Sequence, residues 1–456
     1  MMILLAINWA SVGIKIAQLI LSLSILVILH EFGHYITAKW FKCRVEKFYL
    51  FFDPWFSLVK KKIGKTVYGI GWLPLGGYVK IAGMVDESLD KNQLKHPPQP
   101  WEFRSKPAWQ RLIIMLGGVT VNILLAFIIY AMILFVWGET KLPIKNAKDG
   151  IWCVDSLAFE LGLQNGDKII AVNDEPIQYF EDINIKLMVG NTITIERNGK
   201  ERTFNLPKDL IGKIVERGKK SLIVALRIPV LVDEVPKNSI AYKAGLRAED
   251  HIVGVNGQSI QYFDQLRDTI QQHKGGTITL RVERGGNTLT MITPISLEGT
   301  IGFVPRMPNT AILEKMGIYT FEHKEYGFFS SFPAGVRKSG EKLSAYVDQF
   351  KKILTPSTGA YKGVGGFKSM GSVFPDQWDW EVFWNITAFF SIVLAFMNLL
   401  PIPALDGGHV LFTLYEMIVR RKPSEKFLEY AQYVGMAILL SLLLYANGND
   451  WFGWNK

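Results

Sequence analysis

Four stretches of this chain run for the length of a membrane span with one charged residue among them, and no other feature constrains the fold as strongly. They are Ile16 to Ala38, interrupted by Glu31 alone, then Leu112 to Gly138, Val382 to Leu405, and Ala431 to Asn449. A helix crosses the hydrocarbon core in about 20 apolar residues. Backbone polar groups in that core must be satisfied within their own segment, so each stretch is expected to be helical. The first has neither a charged leading region nor a small-residue cleavage site, which reads as a retained helix rather than a signal peptide. A chain that is 49% hydrophobic fits this reading.

The formal net charge of +10 is compatible with nucleic acid or with a lipid surface, and its distribution selects lipid. Basic residues crowd the loop between the first two spans, from Lys42 and Arg44 through Lys60, Lys61 and Lys62 to Arg111. Arg420, Arg421, Lys422 and Lys426 occupy the loop between the last two. The positive-inside rule places both loops in the cytoplasm and both termini outside, leaving the segment from about 140 to 380 extracytoplasmic. Nucleic acid is not an expected partner; the lipid bilayer is. Cys43 and Cys153 form neither a disulfide framework nor a CxxC metal pair.

The extracytoplasmic segment carries an internal duplication. Gly162-Leu163, Asp167, Ile169, Val172-Asn173 and Gln178-Tyr179-Phe180 align with Gly245-Leu246, Asp250, Ile252, Val255-Asn256 and Gln261-Tyr262-Phe263. Two copies are too few for a solenoid and fit two tandem small domains. Each shows alternating apolar strands, a Gly-bearing turn and a short helix after Tyr-Phe, an α+β pattern. The spacing resembles PDZ domains in the permuted bacterial-protease arrangement, over 145–226 and 227–308. Such a groove takes a chain end or strand by main-chain pairing.

Chemistry concentrates in two spans. His30 and His34 lie four apart, on one helix face, where two neutral imidazoles can hold one zinc while the adjacent Glu31 reaches a water. With seven histidines in the chain, the pattern arises by chance rarely. Ionisable groups at membrane depth are costly unless they serve a site. Zinc hydrolases use three protein ligands and leave a fourth position open. Asp406 is the candidate third ligand, in a Pro401, Pro403, Gly407, Gly408 setting that breaks the helix and lets backbones approach, and His409 is its rival.

Together, HExxH in the first span, a downstream Leu405-Asp406-Gly407 preceded by Asn398, and the PDZ-like pair resemble the site-2 protease family of intramembrane zinc metalloproteases, in its regulator of sigma-E protease group. The resemblance implies one Zn2+ per chain held by His30, His34 and Asp406, Glu31 as general base, and Asn398 against the substrate backbone. Where the family's second span carries Gly-Pro-x-x-Asn, this chain has Gly118-Val119-Thr120-Val121-Asn122, so the Pro kink is lost. Asn122 then serves either helix packing or the site. Residues Thr66 to Ile81 read as two short strands joined through Pro and Gly. In the resembling family this region is a membrane-reentrant β-hairpin whose edge pairs with unwound substrate, which points to Gly69, Ile70 and Gly71 as substrate-binding.

The expected fold class is a multi-pass α-helical membrane protein with four transmembrane helices, a membrane-reentrant β-hairpin region and two α+β PDZ-like domains. The expected order is a first span with HExxH (1–41), a reentrant β region (42–108), a second span (109–139), the two PDZ-like domains, an amphipathic helix and linker (309–378), a third transmembrane segment with the Leu-Asp-Gly motif (379–420), and a fourth span with its tail (421–456). Within 309–378, Arg337 to Leu354 reads as the amphipathic helix, on the outer leaflet or against the PDZ pair, and Gly359 to Gly371 as a flexible link. The resemblance implies an intramembrane endopeptidase of a bacterial inner membrane, with termini and PDZ domains periplasmic. Its implied partners are single-pass substrates such as trimmed anti-sigma factors and signal-peptide remnants, with the PDZ pair gating their size. Two other readings are a PDZ-bearing receptor without proteolytic activity and a membrane-bound protease that cuts soluble chains.

Overall fold

The computed structural model describes residues 8–74, 76–84, 97–217 and 222–453, so the expected domains 1–41, 42–108, 145–226 and 421–456 lie partly outside the described residues. The chain forms two compact units. One comprises Met1–Glu139, Glu325–Pro356 and Ala360–Lys456; the other comprises Thr140–Lys324 with Ser357–Gly359.

Among the described residues of the first unit, four helices are long and apolar enough to cross a membrane: Trp9–Trp40, Ala108–Val136, Trp380–Leu399 and Lys426–Phe452. Polar caps mark where three of them begin, and Pro107 precedes the other. Asn8 accepts from the Ser11 amide, Asp379 from Val382 and Ser424 from Phe427, each satisfying a first-turn N–H that has no partner within its helix. The third helix stops at Leu399 because Pro401 and Pro403 supply no amide hydrogen. The chain turns through Ala404 at φ +81° and restarts as a separate helix, Asp406–Val419. The segment 379–420 is thus two helices, with the break beside Asp406.

Small and hydroxylic residues knit the first three spans, as expected where lipid gives no hydrophobic drive between helices. A Cβ on Gly33 would lie 2.3 Å from the Gly117 carbonyl oxygen, so these two helices touch backbone to backbone. Ser391 donates to the Asn122 carbonyl at 2.7 Å, and Thr387 to Ser22 at 2.9 Å. Ala126, Ile129, Tyr130 and Ile133 pack on Ala388 and Ile392.

Between the first two spans lies a four-stranded sheet of β1 (Val45–Leu50), β2 (Phe52–Ile63), β3 (Thr66–Leu73) and β4 (Tyr78–Ile81), in the order β2-β3-β1-β4. The two strands read from Thr66 to Ile81 do not pair with each other. β3 runs parallel to β1 and forms its hairpin with β2, while β4 pairs antiparallel on the far side of β1. β1 ends at Leu50, and at Phe51 φ is +67°, so β2 doubles back and takes the hairpin position.

The amphipathic helix is Phe328–Ile353, nine residues longer at its start than Arg337 suggested, and it carries Pro333 inside. It packs on the second and third spans. Gly335 meets the backbone of Phe127 and Ala131, and Tyr346 and Phe350 stack edge-on against Phe396. The Gly359–Gly371 stretch is built rather than loose. Ala360–Gly363 forms a 3-10 turn and Phe367–Ser372 a helix. Asp450 accepts from the Gly366 and Ser369 amides, and a Cβ on Gly366 would lie 2.5 Å from Asn447 Oδ1. Its glycines permit close packing on the fourth span.

The second unit holds two four-stranded sheets of matching layout. Lys200–Asn205, Thr192–Arg197, Lys168–Val172 and Glu175–Pro176 lie in that order in one. Asn287–Pro294, Thr277–Arg284, His251–Val255 and Gln258–Ser259 do so in the other. The shared motif explains itself. Asp167, 1% exposed, takes two bonds of 2.7 Å from Arg197, whose guanidinium also reaches the Gly162 carbonyl. Asp250, 0% exposed, takes 2.5 and 2.7 Å bonds from Arg284, which reaches the Gly245 carbonyl. Both Asn173 and Asn256 adopt positive φ and accept amides of the next strand.

Candidate metal centre

The helical rise brings His30 and His34 to one face, and the turn after Pro403 carries Asp406 to them. His30 Nε2 and His34 Nε2 are 3.3 Å apart, and each lies 3.2 Å from Asp406 Oδ2. A tetrahedral zinc with bonds of about 2.0 Å sets its ligand atoms about 3.3 Å from one another. The triangle therefore has the size zinc requires. Asp406 Oδ2 is buried without a hydrogen-bond partner, an expensive arrangement that a cation would relieve. Among the described residues these are the three whose ligand atoms gather within 4.8 Å. His409 lines the same cavity but is not in that group.

Outer contacts aim both imidazoles. His34 Nδ1 lies 2.9 Å from the Ile114 carbonyl, which fixes Nδ1 as the protonated nitrogen and leaves the Nε2 lone pair inward. His30 Nδ1 lies 3.1 Å from the Asn122 amide, whose Oδ1 is buried and unpartnered. A half-turn of that amide satisfies Oδ1 and makes it the acceptor for His30 Nδ1–H. Asn122 thus touches the site as well as packing. Gly118 leaves the room: a Cβ there would sit 2.4 Å from His34 Nε2 and 2.5 Å from His30 Cε1. Asn398, on the third span, lies 3.2 Å from His30 Nε2.

Glu31 hydrogen bonds to the backbone of Val79 on β4, so the carboxylate and the sheet meet beside the triangle. A Cβ on Gly77 would lie 2.7 Å from Val27 and 3.5 Å from Glu31 Cγ, which is why the strand can approach this closely. His30, Glu31, His34, Asn398 and Asp406 open into a cavity of about 1210 Å³ walled on one side by Gly76–Ile81. That volume exceeds a usual small-molecule pocket and suits a length of polypeptide.

Gly69, Ile70 and Gly71 do not stand at an edge. They lie on β3, where Gly69 and Ile70 are paired with Lys60 and Val59 on one side and with Tyr49 and Leu50 on the other. The edge that faces the cavity is β4. Its assignment eluded the sequence because strand order is a long-range property, whereas Gly76-Gly77 before Tyr78 was a visible sign of close backbone approach.

The profile of peptidase family M50 matches residues 18–442. A Vibrio cholerae protein whose name marks it as a candidate zinc metalloprotease is 30% identical over 94% of this chain and 97% of its own length. The regulator of sigma-E protease of Escherichia coli K12 is 28% identical over 95% of this chain and 98% of its own. The Haemophilus influenzae regulator of sigma E protease is 27% identical over 96% and 98%.

Proposed function

The chain belongs to peptidase family M50 and is a zinc metalloendopeptidase of the membrane, and on that premise we propose that it cleaves single-pass transmembrane segments within the bilayer. The observation that carries this reading is the ligand triangle of 3.2–3.3 Å, two of whose corners, His30 and His34, lie in a span whose one charged residue is Glu31. A reading without proteolytic activity leaves the orphaned Asp406 Oδ2 and the two aimed imidazoles without a purpose.

His30, His34 and Asp406 would hold the metal, their Nε2, Nε2 and Oδ2 atoms being the ones that converge. Bound zinc supplies a Lewis acid and lowers the pKa of water toward about 7. Glu31 would accept a proton from the attacking water and return it to the leaving amine. The β4 edge, Tyr78–Ile81, pairs with the unwound substrate and holds its backbone past the metal. Asn398 donates its amide to the carbonyl undergoing attack. Asn122 and the Ile114 carbonyl keep the two imidazoles in the ligating tautomer.

The repeated units at 145–226 and 227–308 act as PDZ-like domains that exclude bulky ectodomains, supported by their matching strand order and buried Asp–Arg pairs. Family resemblance gives the substrate class: trimmed anti-sigma-factor-like proteins, in line with relatives named as sigma-E regulators, and signal-peptide remnants. The enzyme sits in a bacterial inner membrane with termini and PDZ-like domains periplasmic, which the basic loops support.

Mass-spectrometric mapping of the bond cut in a reconstituted single-pass substrate tests the reading. Cleavage within the apolar segment is expected. Cleavage only in flanking soluble sequence favours a protease of soluble chains instead.

A further inference from the structure

The fourth span presents Gln432 to the same cavity that β4 lines. This residue is 5% exposed and lines the cavity, yet its amide has no hydrogen-bond partner among the described residues. The side-chain nitrogens of Gln18, Asn122 and Asn449 are engaged, that of Asn122 with His30 Nδ1. Gln18 Nε2 donates to the Pro375 carbonyl, and Asn449 Nδ2 donates to the carbonyls of Lys362 and Val364. The Gln432 amide is instead open to the cavity, where it is available to whatever the cavity holds.

The position of Gln432 is fixed. Gly435, three residues on and on the same helical face, packs so tightly that a Cβ would lie 1.6 Å from the Pro403 carbonyl oxygen. Met436, one turn on, lines the cavity as well. The Gln432 face is thereby pinned to the turn that delivers Asp406, three residues after Pro403.

An extended segment laid along β4 has a need that β4 does not meet. In a ladder, alternate residues turn their N–H and C=O toward the neighbouring strand and the residues between turn theirs away. Each peptide group must find partners once its helix is unwound. A primary amide offers a donor and an acceptor side by side, matching one peptide group.

We propose that Gln432, on the fourth-span lining of this cavity, binds the substrate backbone, taking a peptide group that does not pair with β4. The proposal rests on the intramembrane-protease reading above. It makes Gln432 a substrate-binding residue that is indifferent to side-chain sequence.

Binding is measured in full-length protein carrying Glu31→Gln, with and without Gln432→Met, using a fluorescent single-pass substrate and a series with single amide-to-ester replacements across the cleaved segment. Gln432→Met is expected to raise Kd five- to tenfold, the size of one hydrogen bond. It is also expected to abolish the penalty of one ester position that weakens binding to the Gln432 protein. With Glu31 intact, zinc content and kcat stay within about twofold while KM rises. An unchanged Kd, or equal ester penalties in both proteins, overturns the proposal. So does a fall in kcat at constant Kd, which would make Gln432 a holder of water. Cleavage persisting in Glu31→Gln would instead overturn the protease mechanism itself.

Discussion

Replacing Gly118 with alanine puts a methyl carbon 2.4 Å from His34 Nε2 and 2.5 Å from His30 Cε1. Ordinary carbon contact needs at least about 3.4 Å, so the pair must yield by about 1 Å. Neither ring can yield freely: His34 is tied to the Ile114 carbonyl at 2.9 Å and His30 to Asn122 at 3.1 Å. Metal sites tolerate about 0.2 Å in ligand distance. The displacement is several times that, and a loss of about 100-fold in zinc affinity, near 2.8 kcal/mol, is expected. The helix itself should gain, since Ala is the better helix former by about 1 kcal/mol. Gly13→Ala, with nothing within 4 Å of its Cβ, is the matched control in the first span. The assay is competition with a zinc chelator, followed by metal content and cleavage of a single-pass substrate. A Gly118→Ala protein that holds stoichiometric zinc as tightly as Gly13→Ala refutes the geometry.

Further outcomes follow from the same contacts. Asn122→Leu removes the acceptor for His30 Nδ1–H and should weaken zinc 10- to 100-fold, whereas Asn122→Asp keeps an acceptor and should retain it, both read by chelator competition. Arg197→Met leaves Asp167 buried and unpaired, and should cost the second unit about 3 kcal/mol, seen as earlier thermal unfolding and faster proteolysis in the full chain. Burial and nearby carboxylates push the Cys153 thiol up to about 12, leaving almost no thiolate at pH 8. In a Cys43→Ser background, Cys153 should react with maleimide about 1000-fold slower than a free thiol until the protein is unfolded.

What could be read in advance follows the range of the interactions involved. The spans and the paired histidines are local patterns, so Ile16–Ala38 and His30-Glu31-x-x-His34 declared themselves. Asp406 could be reached from the Pro–Gly break and its depth in the chain. Strand order in the sheet depends on β1 inserting between β3 and β4, and nothing within Thr66–Ile81 encodes that. The Gly359–Gly371 stretch looked loose because its restraints, Asn447 and Asp450, lie some 80 residues away. The turns from Phe328 to Val336 fell outside the Arg337–Leu354 reading because the charged alternation starts only at Arg337, whereas the helix runs on through Pro333 and packs on the second span at Gly335. Gln432 was a visible oddity, a polar side chain at the edge of an apolar run, whose meaning required the cavity.

The most direct test compares Glu31→Gln and Asp406→Ala with the unaltered chain for both zinc content and cleavage of a truncated single-pass substrate. The account predicts that both variants lose cleavage, that Glu31→Gln keeps its zinc, and that Asp406→Ala loses most of it. Normal cleavage by Glu31→Gln, or full zinc in Asp406→Ala, would contradict it.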